Sequence, residues 1–153
     1  YSQPLLIHKN RIIVATKTEL YILNAENGTI NFKKSIASIV KPLANEDSLF
    51  IITKDNLLVL FDLNNNKIVY SIDISKKIAE FLETKQKSIL IQSAFIANDS
   101  LLIFLDNSYV IKLNVSGKIE AINKLPAKIK SPPIFVSSSM IYLDNKNKIN
   151  ILN

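Results

Sequence analysis

The chain has 153 residues, 48% of them hydrophobic and 21% charged, with a formal net charge of +6. Without cysteine it can form no disulfide framework and do no thiol chemistry, and no apolar run approaches the roughly 20 residues that cross a bilayer. The cations are scattered lysines beside a single Arg11, a poor inventory for the bidentate contacts that read bases and phosphates, so no nucleic-acid partner is expected.

Taken in order, the chain reads as short strands separated by polar turns. Residues 5–8, 12–16, 19–24 and 29–34 alternate or run apolar between turn residues, as strands do. Residues 49–53, 56–62 and 67–74 follow. The continuous apolar run at 57–61 predicts a strand buried on both faces. Residues 75–87 break the pattern: Ile78, Phe81 and Leu82 stand at helical spacing between charges, which predicts a short surface helix. Strands resume at 89–97, 101–105, 109–114 and 118–123, then at 134–136, 140–143 and 148–153. The dipeptides Lys54-Asp55, Asp106-Asn107 and Asp144-Asn145 suit tight hairpins, because Asn and Asp tolerate left-handed backbone. Ser137-Ser138-Ser139 lacks the glycines of a nucleophile elbow and reads as another hairpin turn.

The strands repeat. Leu20-Tyr21-Ile22-Leu23-Asn24, a turn ending in Gly28, and a strand reaching Phe32 return 38 residues later. The second copy is Leu58-Val59-Leu60-Phe61-Asp62, a turn through Asn66, and a strand reaching Tyr70. The same shift carries Pro4 onto Pro42 and Ile36 onto Ile74. A third copy contains Val110-Ile111-Lys112-Leu113-Asn114 and Gly117, and the last stops at Asn153. Periods near 40 residues holding several strands mark β-propellers. The expected fold is therefore all-β, a β-propeller of about four four-stranded antiparallel blades, the last incomplete, forming part of a larger propeller. The blades are placed at residues 4–36, 42–74, 88–125 and 133–153, with an insertion at 75–87.

The run 20–28 followed by Phe32 resembles the PQQ-like propeller repeat, in which a strand near Leu-Tyr-Ala-Leu-Asp-Ala leads to a turn with Gly and then to Trp four residues later. In that family the Trp docks one blade on the next. Here Phe32 and Tyr70 occupy its position and Ala121 abandons the aromatic, so blade packing is expected to be looser or differently filled. Two branches of the family bear on function. Quinoprotein dehydrogenases, to which the repeat is similar, bind a quinone and calcium. This chain has no Trp, no Cys and no acidic cluster of calcium-loop type. The BamB-like lipoproteins of outer-membrane protein assembly catalyse nothing and bind a partner protein. Ser88-Ile89-Leu90-Ile91-Gln92-Ser93-Ala94 is similar in placement to their contact loop, with Gln92 where that loop carries a basic residue; residues 89–91 read equally as a buried strand.

Catalytic, cofactor-binding and metal-binding residues are expected to be none. His8 is the only histidine and has no companion ligand; with only Gly28 and Gly117 there is no phosphate-cradling loop. The expected function is that of a non-catalytic interaction scaffold, BamB-like, with a quinoprotein-related domain or a generic propeller adaptor as alternatives. The expected partner is the outer-membrane barrel-assembly subunit. The resemblance implies a periplasmic location and a lipid anchor on an upstream segment, the chain beginning at Tyr1. The expected contact residues are Phe81, Leu90, Ile91 and Gln92, around the only segment outside the repeat spacing, which reads either as a docking element or as a decorated loop. Unpaired strands at 5–8 and 148–153 are expected to favour a homodimer.

Overall fold

The structure, a computed structural model, describes residues 5–137 and 139–152; Pro4, Ser138 and Asn153, used in the readings above, lie outside the described residues. The chain divides into two compact units, Tyr1–Gln86 and Lys87–Asn153.

The first unit holds two four-stranded antiparallel meanders. One runs β1 (Leu6–His8), β2 (Arg11–Ala15), β3 (Leu20–Asn24), β4 (Ile30–Lys34); the other runs β5 (Leu43–Asn45), β6 (Ser48–Ile52), β7 (Leu57–Asp62), β8 (Lys67–Asp73). His8 faces Arg11 and Asn45 faces Ser48 across two-residue turns, so the first two strands of these blades are 37 residues apart rather than 38. The β6–β7 connection is one residue longer than β2–β3, which restores 38 by Leu20 and Leu58. Register places Leu6, Ile13, Ile22 and Phe32 in one cross-strand row of the first blade. It places Ala44, Leu49, Phe61 and Ile68 in one row of the second. Apart from Ile68, which is exposed, these rows form a shared core with Ala15, Leu20, Ile51 and Val59, in which Ile13, Ile22, Leu49 and Phe61 are fully buried. The Phe32 and Phe61 rings lie 4.7 Å apart, tilted by 54°. Phe32 thus does what the aromatic of the repeat was expected to do.

The second unit holds a four-stranded blade, β9 (Ile91–Ala97), β10 (Ser100–Leu105), β11 (Tyr109–Leu113), β12 (Ile119–Lys124). A three-stranded one follows, β13 (Ile134–Val136), β14 (Ser139–Leu143), β15 (Ile149–Leu152). Their core gathers Phe104, Leu125, Ile129 and Tyr142, with Phe95, Leu102, Val110, Met140 and Leu152 against it. Ala121 holds the place of Phe32. The missing aromatic volume comes from other strands: Phe95 packs edge-on against Phe104 at 5.8 Å and tilted against Phe135 at 5.9 Å.

The repeat extends to backbone detail. A bulge recurs in the last hairpin of each complete blade, with Asn31, Val69 and Glu120 as the extra residue. At the end of the third strand the side chains of Asn24, Asp62 and Asn114 accept hydrogen bonds from turn amides two to four residues on. At the end of the second strand Thr16, Thr53 and Asp144 do the same. In the hairpins after β6 and β10 the left-handed residue is Asn56 (φ 58°) and Ser108 (φ 70°), and after β14 it is Asn147 (φ 61°). These are one or two residues beyond the expected dipeptides, because the connections are long enough for a turn followed by one left-handed residue.

Candidate interaction surface

In a four-stranded meander the first and third turns share one end, while the second turn and the linkers between blades share the other. At the first end of the opening unit, the matching turns of the two blades clasp each other. His8 Nε2–H donates to the Glu46 carbonyl at 2.6 Å and Lys9 Nζ meets Asp47 Oδ1 at 2.7 Å. Arg11 Nη2 donates to the Leu63 carbonyl at 3.1 Å and to Asn64 Oδ1 at 3.2 Å. The Lys9 ammonium, together with the Asn64 carboxamide, holds the Asp47 carboxyl below its ordinary range. The single histidine is accounted for as a clamp between turns.

The linker end carries the expected contact residues. In the first unit residues 37–39 run beside the end of β6, with Ser38 bridged to Thr53 and its hydroxyl donating to the Val40 carbonyl at 2.6 Å. A shallow cavity of about 250 Å³ opens beside them, lined by Ser35, Ala37, Thr53, Asp55, Val59 and Ser71. In the second unit residues 128–130 take the matching place, with Ile129 bridged to Asp144. Lys128 Nζ lies 2.6 Å from Asp106 Oδ1.

The insertion is a helix, α1 (Ile74–Phe81), followed by one 3₁₀ turn (Gln86–Ser88). It begins one residue earlier than expected because Asp73 caps it, accepting from the Lys76 amide at 2.9 Å. The same carboxylate accepts from Ser75 Oγ and from Gln86 Nε2 at 2.8 Å, tying the returning chain to the helix start. These donors, the Lys76 amide first, lower the Asp73 pKa. At its far end the Thr84 amide reaches the Ala79 carbonyl past a left-handed Glu83 (φ 50°), closing a Schellman cap. The buried face is Ile74, Ser75, Ile78 and Ala79, not Ile78, Phe81 and Leu82. Ile74 and Ile78 stack one turn apart, while Phe81, the last helical residue, is 61% exposed.

The other contact residues belong to the second unit. Ile89 is buried but precedes the strand; Leu90 is 59% exposed; Ile91, half-buried, opens β9. The buried-strand reading of 89–91 therefore fails at Leu90. Gln92 is the extra residue of a bulge against Phe104 and Leu105, and its Nε2 donates to the Ile129 carbonyl at 3.1 Å. Leu90, Ile91 and Gln92 stand together in the second unit, while Phe81 lies in the first. Sequence reasoning missed the Glu46–Asp47 turn as a partner of His8 and Lys9; the 38-residue spacing was the signal that could have found it. Among the described residues no group of three or more His, Cys, Asp and Glu is placed to hold a metal ion, and no helix is long and apolar enough to cross a membrane.

No protein-family model matches this sequence, and no curated protein matches it. Solved structures do. The chain is similar to BamB from Moraxella catarrhalis, with TM-score 0.76 and 11% identity over 97% of this chain and 42% of that one. It is similar to the computationally designed Ika4 protein, with TM-score 0.69 and 8% identity over 99% of this chain and 90% of that one. It is similar to the Pan2 WD40 domain of Neurospora crassa, with TM-score 0.65 and 10% identity over 98% and 46%. At such identities the likeness concerns the fold alone. The chain is all-β, made of β-propeller blades, and spans 42% of the length of the BamB chain it matches.

Proposed function

We propose that this chain is a non-catalytic protein-interaction scaffold of the BamB-like kind, which docks the outer-membrane barrel-assembly subunit at the linker end of its blades. The observation that carries the reading is the exposure of Phe81 within segment 75–87, which departs from the repeat spacing, and of Leu90 just after it. Large apolar side chains held outward next to fixed polar groups are the usual anchors of a protein interface. Phe81 is on a helix fixed at both ends by Asp73, Gln86 and the Glu83 cap, so presenting it costs little ordering on binding. The resemblance of the 20–32 run to PQQ-like repeats and the fold likeness to BamB support the choice of partner. The same reading assigns the protein to the periplasm on a lipid anchor, which fractionation of the source cells tests.

The direct test is capture of the purified barrel-assembly subunit in detergent by the immobilised chain, comparing the parent with Phe81→Asp, Leu90→Asp and Gln92→Glu. The two aspartates are expected to weaken capture at least tenfold, as a desolvated charge in an apolar contact does. Gln92→Glu acts less strongly, since it removes a donor to the Ile129 carbonyl. Unchanged capture by a folded variant removes that residue from the contact; no capture by the parent removes this partner.

A further inference from the structure

The strand registers place one cross-strand pair at the same point on the like face of each complete blade. In the first blade it is Tyr21–Lys33, in the second Val59–Ser71, in the third Ile111–Ile122. The second blade has the smallest of the three, and the 250 Å³ cavity of the first unit opens beside it. Its apolar wall is Ile36, Leu57, Val59 and Ile68; Ile68 is left 39% exposed although its cross-strand partner Phe61 is fully buried. The exposed polar residues lining it are Ser35, Lys54, Asp55 and Ser71. Among the described residues none of these four side chains makes an ion pair or a hydrogen bond with the protein. By contrast Lys9, Lys33, Lys112 and Lys128 each meet a carboxylate within 3.1 Å. One place therefore offers an apolar wall, an unpaired cation, an unpaired carboxylate and two unengaged hydroxyls.

We propose that this cavity binds the carboxyl-terminal residue of a partner polypeptide when that residue is apolar. Its side chain lies on the Val59–Ile68 wall, its carboxylate meets Lys54 and its amide N–H donates to Asp55. Size selects a single side chain, because pockets that enclose cofactors and drug-sized molecules run to roughly 300–1,000 Å³. Charge selects the chain end. An apolar residue inside a polypeptide brings nothing for Lys54, whereas a terminal one carries a carboxylate and an N–H on the carbon that bears its side chain. That spacing suits Lys54 and Asp55, which are neighbours on one hairpin. The Ser35 and Ser71 hydroxyls can donate to the second carboxylate oxygen. The shallow form of the cavity selects a chain over a free amino acid. Exposed ion pairs are worth little in water, so contacts from the preceding residues must offset the freedom lost on binding. Capture of a terminal carboxylate is a recurring mode of peptide recognition. The site uses neither Phe81 nor Leu90 and does not rest on the assembly partner proposed above.

The test titrates the 153-residue chain, its Ile, Leu and Val methyls isotope-labelled for NMR, with the peptide acetyl-Gly-Gly-Leu bearing a free carboxyl terminus. Saturable shifts are expected at the Ile36, Leu57, Val59 and Ile68 methyls, with Leu102 of the second unit unmoved. The same peptide ending in a carboxamide is expected to bind about two- to fivefold more weakly, the scale of an exposed ion pair. Lys54→Ala, at an exposed hairpin position, is expected to bind the acid as weakly as the parent binds the amide, and to distinguish the two no longer. Ser71→Phe, also at an exposed position, fills the space beside Val59 and is expected to abolish the shifts while keeping the parent's circular dichroism. No shift at about 10 mM peptide, where even a Kd of about 1 mM would show saturation, overturns the proposal. So does equal binding of acid and amide, a Lys54→Ala protein that still separates them, unchanged binding by folded Ser71→Phe, or free leucine binding as tightly as the peptide.

Discussion

The two blade pairs within this chain solve the same packing problem with different strands. Between the first and second blades the aromatic contact comes from the fourth strand, Phe32 on Phe61 at 4.7 Å. Between the third and fourth it comes from the first two strands, Phe95 and Phe104 with Phe135, while Ala121 leaves the fourth strand bare. Hairpin bulges and turn-capping side chains coincide in both. The backbone scaffold of a blade is thus held more tightly than the identity of the strand that fills its core. A close-packed interior needs its volume occupied, and rows of neighbouring strands can trade that volume.

The largest effects should come from emptying these cores. Phe61→Ala in one pair and Phe104→Ala in the other are each expected to cost about 3–5 kcal/mol, since both rings are fully buried. Urea unfolding measures this, and a loss below 1 kcal/mol at either site would remove that ring from the core as described. A smaller effect sharpens the contrast. If Phe95 and Phe104 have taken the space, restoring the aromatic by Ala121→Phe overfills it and destabilises by about 1–3 kcal/mol. Stabilisation instead would mean that the space at Ala121 is vacant.

The smallest effect separates the pairs by pH. Thr53 organises its hairpin with a neutral hydroxyl, whereas Asp144 does so with a carboxylate whose pKa is lowered, chiefly by the Lys148 amide and then by Asn150 and the Lys146 amide. A carboxyl depressed in the folded state contributes stability that is present above its unfolded pKa, about 3.9, and is lost as pH falls through the folded value. Hydrogen exchange at Lys146 and Lys148 should therefore accelerate below about pH 4 beyond the intrinsic trend, while the Leu57 amide in the Thr53 hairpin does not. Asp144→Asn should abolish the difference.

Much of this was legible in the residues. The 38-residue return of the 20–32 run identified repeated antiparallel blades, because period-two alternation, Asx turns and a docking aromatic are local signals. The single-residue change between β2–β3 and β6–β7 was not, since an ungapped match hides a loop residue that leaves both flanking strands intact. The helix was readable from its spacing, but its buried face was not, because Asp73 was read as a strand residue rather than a cap. For the contact residues, the departure of 75–87 from the repeat spacing drew attention to Phe81 and the following strand start, but their exposure is visible only in the fold, with Phe81 ending the helix and Leu90 standing just before Ile91 opens β9. Gln92 gave no sign of being a bulge.

Ten of the described residues other than glycine hold left-handed backbone, among them Lys9 and Glu46 in the clasped turns and Asn98 with Asp99 in the third blade. Each such position costs its residue roughly 1 kcal/mol relative to glycine, with Asn and Asp penalised less. Turn geometry in this chain is therefore specified by hydrogen bonding and strand register, with the residue at the apex left open to exchange. A duplicated blade can then diversify its loop tips one substitution at a time, changing charge and shape at the ends of the sheets without refolding them. That freedom is a physical basis for evolvability: the same scaffold can acquire new surface chemistry while its strands, bulges and caps stay put.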